Sequence, residues 1–234
     1  MAPRLTLLLP GYNEEANIRE AVERCDAVLG RLVPSHEILV IDDGSLDKTA
    51  AIAEELAREK PSVRVIRNPI NLGVGISLLV GMRAAKGELV VHNAMDYPFD
   101  LEDLTRILPL FPGADVVAVA RLDRTAHSAY RKLTSLVHYW LVRILFQVPL
   151  KDLNFVQVYK REVLEALRVR AKSPAFVTPE LLIRAHDHGF RIVEVPAPFL
   201  RRERGSANYG RPRDICWTLA DMVSFWIERL TGRA

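Results

Sequence analysis

The chain has 234 residues, 49% of them apolar and 26% charged, which is enough to close one sizeable core and unlike the composition of a disordered chain. Its two cysteines, Cys25 and Cys216, stand far apart with no C-x-x-C spacing and no histidine cluster beside them; this argues against a disulfide framework or a structural zinc site and fits a reducing compartment. Net charge is +3 but unevenly spread, with 12 basic and 18 acidic side chains in residues 1–119 against 20 and 11 in residues 120–234, so the second part suits an anionic partner: phosphate, a membrane surface or nucleic acid.

In chain order, the apolar run Leu5–Leu9 is too short for a signal sequence and reads as a first strand. Further strands are expected at Glu37–Ile41, Val63–Ile66, Leu89–His92 and Asp115–Ala120. Helices are expected near 14–30, 47–60, 74–86 and 101–110, each preceded by Asn, Asp or Gly turn chemistry. This alternation is that of βαβ units around a mostly parallel sheet. The pattern then changes to a long apolar helix at about 128–147, a strand at 154–160, a short helix, a helix at 178–188, the strand Arg191–Phe199 and a closing helix from Arg213 to Leu230. The stretch Leu133–Leu150 raises the question of a membrane span, but His138, Arg143 and Gln147 interrupt it and Pro149 ends it, so a buried or interfacial helix is expected. The closing helix mixes Trp217, Leu219, Met222, Val223, Phe225, Trp226 and Leu230 with charged residues, a pattern that serves core packing and a membrane interface equally well.

The first strand runs into Pro10-Gly11-Tyr12-Asn13-Glu14-Glu15 and the second into Asp42-Asp43-Gly44-Ser45. Both sets fall at the carboxyl edge of neighbouring parallel strands, where open α/β sheets take their ligands. Carboxylates there accept hydrogen bonds from a base or ribose, and Gly44 with Ser45 allows a tight turn into a helix. A plain N-cap turn accounts for Ser45 and Asp47, but not for Asp42 and Asp43 together with a second acidic turn one strand away. Asn71-Leu72-Gly73-Val74-Gly75 then opens the helix after the third strand, where a glycine-bearing turn can approach a diphosphate. It lacks the third glycine of the dinucleotide fingerprint.

The ordered set of these motifs with Gly81, Ala85-Lys86-Gly87 and Asp96 resembles the family 2 glycosyltransferases, especially the dolichol-phosphate mannosyltransferase and polyprenyl-phosphate glycosyltransferase branch, over nearly the whole chain. The resemblance implies the GT-A fold: a Rossmann-like α/β domain with a mostly parallel central sheet flanked by helices, closing on a C-terminal amphipathic helix. It also implies a single domain over 1–234, with 1–120 binding the nucleotide sugar and 121–234 the acceptor. By the same resemblance, Pro10, Tyr12, Glu14 and Asp43 hold the nucleoside with Asp42 beside them, and Asn13, Gly44, Asn71 and Gly73 complete the donor side.

Relatives usually read Asp-Ala-Asp at the end of the fourth strand, two carboxylates that hold a divalent ion on the donor diphosphate. Here the stretch is His92-Asn93-Ala94-Met95-Asp96, so Ala94 stands where the first aspartate belongs and Asp96 matches the second. Mg²⁺ or Mn²⁺ at Asp96, weakly held or dispensed with, is the expectation. Asp100 reads as a helix N-cap, with a substitute ligand as its alternative. The histidines have no spacing that demands a metal.

In the second half, Arg121 and Arg131, and Arg202, Arg204 and Ser206 of the segment 201–208, match phosphate-contacting positions of the resembling enzymes, a task that suits the planar guanidinium. Asp152 matches the aspartate after the long helix and is expected, with Asp96, to be catalytic, orienting the acceptor or serving as base if the acceptor is a hydroxyl. Where relatives continue with a Ser-Gly-Phe-Arg-like run, this chain has Asn154-Phe155-Val156-Gln157, so the acceptor pocket differs. Glu180 resembles a recurrent helix-start glutamate, and favourable charge at a helix N-terminus explains it as well as chemistry does.

The resemblance therefore implies inverting transfer from a nucleotide diphosphate sugar, GDP-mannose or UDP-glucose in type, to a polyprenyl or dolichyl phosphate by a protein peripheral on the cytoplasmic face of a membrane. Alternatives are transfer to a sugar or small-molecule hydroxyl, and a catalytically silent nucleotide-sugar-binding homologue. A nucleic-acid partner explains the basic half but leaves the acidic strand ends without purpose. No oligomeric state is assigned.

Overall fold

The structure is a computed structural model that describes residues 2–122, 129–200 and 212–232, with main chain alone for 129–135, 138 and 212. In the first strand, β1 (Leu5–Gly11), Leu5, Leu7 and Leu9 enter one core cluster and Leu8 the other, the alternation of a strand covered on both faces. There follow α1 (Ile18–Leu32), β2 (His36–Asp42), α2 (Thr49–Glu59), β3 (Val63–Arg67), α3 (Val74–Ala84) and β4 (Leu89–His92). β1 lies between β2 and β4, parallel to both, with Gly11 opposite Asp42 and Leu8 opposite His92. Three strand ends thus emerge side by side.

The helix expected at 101–110 is broken into a 3-10 turn (Leu101–Asp103), the single α-helical turn α4 (Leu104–Ile107) and a second 3-10 turn (Leu108–Leu110). Pro109 has no N–H with which to continue the helical ladder. The first helix starts at Ile18 rather than near 14, because Asn13 has φ 55° and the Glu14 carbonyl accepts the N–H groups of Asn17 and Ile18 in a turn.

The second half supplies β5 (Val116–Arg121), α5 (Ala129–Phe146), β6 (Gln157–Lys160), α6 (Arg161–Ala166), α7 (Val177–Asp187), β7 (Ile192–Ala197) and α8 (Pro212–Leu230). One sheet joins both halves in the order β3-β2-β1-β4-β6-β5-β7. β6 is antiparallel to both neighbours, while β5 and β7 pair in parallel. The strand expected from 154 begins only at Gln157, because residues 152–155 form a turn around the Asp152 carboxylate, which accepts the Asn154 N–H at 3.1 Å.

Helices α1 and α2 with the 101–111 segment cover one face of the sheet; α3, α5, α7 and α8 cover the other. On that second face Phe146 stacks on Phe225 at 5.3 Å between centroids, with Phe176 beside both. No helix among the described residues is long and apolar enough to cross a membrane.

Candidate donor and acceptor site

The turns after β1 and β2 are stitched together by their own polar groups. Ser45 Oγ accepts the Asn13 N–H (3.0 Å), Thr49 Oγ1 that of Glu14 (2.8 Å) and Asp47 that of Glu15 (3.1 Å), while Asn13 Oδ1 and Glu15 Oε2 accept the N–H groups of Leu46 and Lys48. Asn13 and Glu15 thereby shape the rim. Gly44 has φ 71°, and a Cβ there would fall 2.5 Å from the Ile70 carbonyl carbon, so the second turn also meets the third backbone to backbone.

The two adjacent aspartates part company. Asp43 is buried, and its carboxylate accepts the Asn68 side-chain N–H (2.8 Å) and the main-chain N–H groups of Leu72 (3.0 Å) and Gly73 (2.8 Å). It therefore clamps the turn that opens α3, with one of its roughly four acceptor positions left over. Asp42 is fully buried; its Oδ1 accepts the Ser45 N–H at 3.1 Å. Its Oδ2 lies 3.3 Å from Arg67 Nε as an ion pair but accepts no hydrogen bond among the described residues. A buried acceptor left in this state is uncommon in a folded protein.

The loop after β4 is held from both sides. Asn93 donates to the Phe99 carbonyl (2.9 Å) and accepts the Ala94 N–H (3.0 Å), and the Tyr97 hydroxyl accepts the Leu101 N–H (3.2 Å) with the Arg24 guanidinium 3.8 Å above its ring. Burial pushes the Tyr97 phenol up to about 12, so it stays a neutral structural group. Asp100 caps the 3-10 turn by accepting the Glu102 N–H. The Met95 methyl is where a Cβ on Gly11 would come within 3.1 Å, so the loop carrying Ala94 and Asp96 packs on the chain that carries Pro10 and Tyr12. Tyr12, Asp43 and Asp96 thus belong to three turns that share one sheet edge. Asn71 is exposed on the third of the strand-end turns that line this edge. Beneath it His92 is half-buried, its Nε2 2.9 Å from Gln157 Oε1; desolvation lowers its pKa and the Gln157 contact opposes this only in part, so the ring stays neutral.

Across β6, Arg121 grips Asp152 in a fork: Nε to Oδ2 at 2.7 Å and Nη2 to Oδ1 at 3.0 Å. The Arg121 and Asn154 N–H groups fill the remaining acceptor positions, and Glu194 Oε1 holds the turn by accepting the N–H groups of Lys151 and Asp152. With its acceptor positions engaged, the Asp152 carboxylate fixes the direction of the Arg121 guanidinium. Of the other expected phosphate ligands, Arg131 lies on α5 with only its main chain described, and Arg202, Arg204 and Ser206 lie outside the described residues.

Glu180, buried at the start of α7, accepts the N–H groups of Arg170 (3.0 Å) and Ala171 (2.6 Å) and the Arg184 side chain (2.7 Å). It is an internal strut. No group of three metal-ligating side chains occurs among the described residues. The donor chemistry present in the segment after β4, the Asp96 carboxylate with Asp100 taken up as a helix cap, fits an ion shared with a bound diphosphate rather than an all-protein cage. Asn68 and Glu194 were not anticipated from sequence, since their roles arise from partners 25 and 42 or more positions away.

An α/β domain whose parallel strands end in acidic turns along one edge is the class of protein that binds a nucleotide-linked substrate there. Residues 6–166 match the profile of Glycosyl transferase family 2, and the chain belongs to that family. Its GT-A architecture is shared with glucosyl-3-phosphoglycerate synthase from Mycobacterium tuberculosis in complex with Mn²⁺, uridine diphosphate and phosphoglyceric acid, at a TM-score of 0.70 and 24% identity over 96% of this chain and 78% of that one. In sequence it is similar to undecaprenyl-phosphate 4-deoxy-4-formamido-L-arabinose transferase of Pseudomonas fluorescens (strain Pf0-1), 28% identical over 213 residues, 89% of this chain and 61% of that protein. It is also similar to glycosyltransferase AglD of Haloferax volcanii, 27% identical over 231 residues, 95% of this chain and 37% of that protein. The chain spans about three fifths of the length of the undecaprenyl-phosphate transferases it matches.

Proposed function

We propose that the protein transfers a sugar, with inversion, from a nucleoside diphosphate to a polyprenyl phosphate at a membrane surface, on its cytoplasmic face. Residues 1–120 take the donor and residues 121–234 the acceptor. The observation that carries this reading is the pairing of two unlike half-sites on one sheet edge: acidic turns after β1, β2 and β4 for a nucleotide sugar, and the Asp152-aimed Arg121 for a phosphate. The names of the similar undecaprenyl-phosphate transferases support the lipid phosphate as acceptor.

In this reading Asp42 Oδ2 accepts a ring N–H of the base. Tyr12 and Pro10 line the nucleoside, with Asn13, Glu14 and Gly44 shaping the turns around it. The Asp43 clamp presents Asn71 and Gly73 towards the diphosphate. Asp96 stands at the diphosphate, and a divalent ion bound there, Mg²⁺ or Mn²⁺, supplies neutralisation of the departing charge. An acceptor phosphate oxygen attacks the anomeric carbon from behind while the bond to the diphosphate oxygen breaks. The attacking oxygen is already anionic, so no strong base is required; positioning and charge stabilisation supply the rate. Arg121, with Arg131, Arg202, Arg204 and Ser206, holds the acceptor phosphate.

The test is a product assay with GDP-mannose and UDP-glucose as donors and either polyprenyl phosphate or a free sugar as acceptor, with and without Mn²⁺. Lipid-linked product of inverted anomeric configuration is expected. Transfer to the sugar hydroxyl alone removes the lipid phosphate from the proposal, and donor binding without turnover under any metal removes the reaction. Asp96→Ala is expected to lower kcat more than donor affinity; equal activity takes Asp96 out of the site.

A further inference from the structure

The last helix is built inside out. On an ordinary surface helix the charged residues face water and the apolar ones the core. In α8, Asp221 accepts the N–H groups of Lys172 (2.9 Å) and Ser173 (2.8 Å), Glu228 receives Arg184 (3.0 Å) and Arg170 (3.1 Å), and Arg229 grips Asp187 and the Phe146 carbonyl. Every charged side chain of α8 from residue 221 onward is therefore bound to the rest of the protein. The exposed residues between 216 and 230 include no charge, and among them Leu219, Val223, Ile227 and Leu230 are 40 to 66% accessible. They recur at spacings of four, four and three, one stripe of a helix.

Helix α5, joined to α8 through Phe146 and Phe225, repeats the feature. Leu136, Val137, Trp140 and Ile144 are each at least half accessible, and Arg143, also exposed, donates to the Tyr139 hydroxyl at 2.7 Å. A tryptophan, a tyrosine and an arginine beside an apolar stripe are the composition of a water–lipid boundary, where rings and guanidinium reach the headgroups and the stripe enters the acyl layer.

We infer that the apolar stripes of α5 and α8 form a docking face for an anionic lipid bilayer, an inference that rests on the lipid-linked acceptor proposed above. Charge decides the occupant. Arg143 and Arg213 are exposed on these helices, and residues 120–234 carry 20 basic against 11 acidic side chains. Anionic headgroups complement such a surface. A second copy would set the same basic surface against itself, which like-charge repulsion opposes.

Cys216 lies on the exposed face of α8, whereas Cys25 is buried, so a polarity-sensitive thiol dye reports on this face alone. The labelled protein is expected to blue-shift and co-sediment with vesicles of phosphatidylcholine and phosphatidylglycerol, more weakly with phosphatidylcholine alone, and less as salt rises. Val223→Glu/Ile227→Glu on α8 and, independently, Trp140→Glu on α5 are expected to weaken vesicle binding by roughly ten-fold or more while keeping cooperative unfolding and transfer to a short, water-soluble isoprenyl phosphate. Failure of the parent to bind anionic vesicles, variants that bind like the parent, or a sedimenting dimer that the variants split would each overturn the docking face. Vesicle binding without transfer to the soluble acceptor would overturn the proposed reaction and leave the docking face standing.

Discussion

The two edges of the central sheet are made of the same residue types and treated in opposite ways. At the amino edge every buried carboxylate is answered. Glu37 accepts from Thr6 (2.7 Å), Arg64 (2.8 Å) and the Lys86 N–H (3.1 Å); burial pushes its carboxyl up, and these bonds more than offset that and hold it below its ordinary value. Asp26 likewise collects Lys60, Ser62 and His36. At the carboxyl edge Asp42 Oδ2 has no hydrogen bond among the described residues, and Asn13, Gly44, Gly73 and Tyr97 all turn with positive φ. The carboxyl edge also engages most of its polar groups in holding turns, but it leaves one buried acceptor open, which the proposed nucleotide would fill. In that proposed reading, stability and binding are separated along the length of the same strands.

Substitutions at the two edges can break that separation. The largest loss is expected from Gly87→Ala at the amino edge, where a Cβ would meet the Thr6 nitrogen at 2.4 Å and the Leu5 carbonyl carbon at 2.7 Å. Backbone cannot yield there as a side chain does, so a loss of about 3 kcal/mol or more in urea unfolding is expected; wild-type stability would show the edge to be looser than described. Asp43→Ala, at the carboxyl edge, frees three donors at once and is expected to abolish nucleotide binding in calorimetry and to cost about 2 kcal/mol of stability. Its neighbour sharpens the contrast: Asp42→Asn should leave stability within about 1 kcal/mol yet cut donor affinity, and unchanged affinity would free Asp42 from the base.

Acid separates the edges without mutation. Burial raises the Asp26 carboxyl, but hydrogen bonds from Lys60, Ser62 and His36 bring it from an ordinary 3.8 down to about 2. The folded value lies below the unfolded one, so the stabilisation is complete above about pH 4 and disappears as the pH falls through about 2, a loss of roughly 2 kcal/mol. Asp26→Asn should flatten that part of the stability profile. The smallest expected effect is at Asp152→Asn: a decrease of about ten-fold in kcat/KM for the phosphate acceptor, carried mainly by KM. Its pH–rate profile should keep the parent's shape, whereas loss of the acid limb would restore Asp152 as a base.

The acidic strand ends were legible in sequence because a strand, its turn and the following helix are local, and their motifs lie within a few residues of one another. The division of labour between Asp42 and Asp43 was not, since it depends on Asn68, Leu72 and Gly73 arriving from another turn. The Asp152–Arg121 fork joins residues 31 positions apart and hides in the same way. Proline broke the helix at 101–110, a signal present in Pro109 and outweighed in reading by the apolar spacing around it. For α8 the sequence offered core packing or an interface as alternatives. The fold buries Met222 and Phe225 in the core and leaves Leu219, Val223 and Leu230 exposed, because the partners of Asp221, Glu228 and Arg229 decide which way it faces.

The reversed direction of β6 has a consequence for how such a domain can change over time. The acidic turns lie where the chain leaves β1, β2 and β4, whereas Asp152 lies where it comes into β6, opposite the end of β4. The stretch ahead of β6 can be lengthened, shortened or rewritten without shifting the registers that hold those turns, so under the proposed function acceptor choice can drift while donor choice stands still.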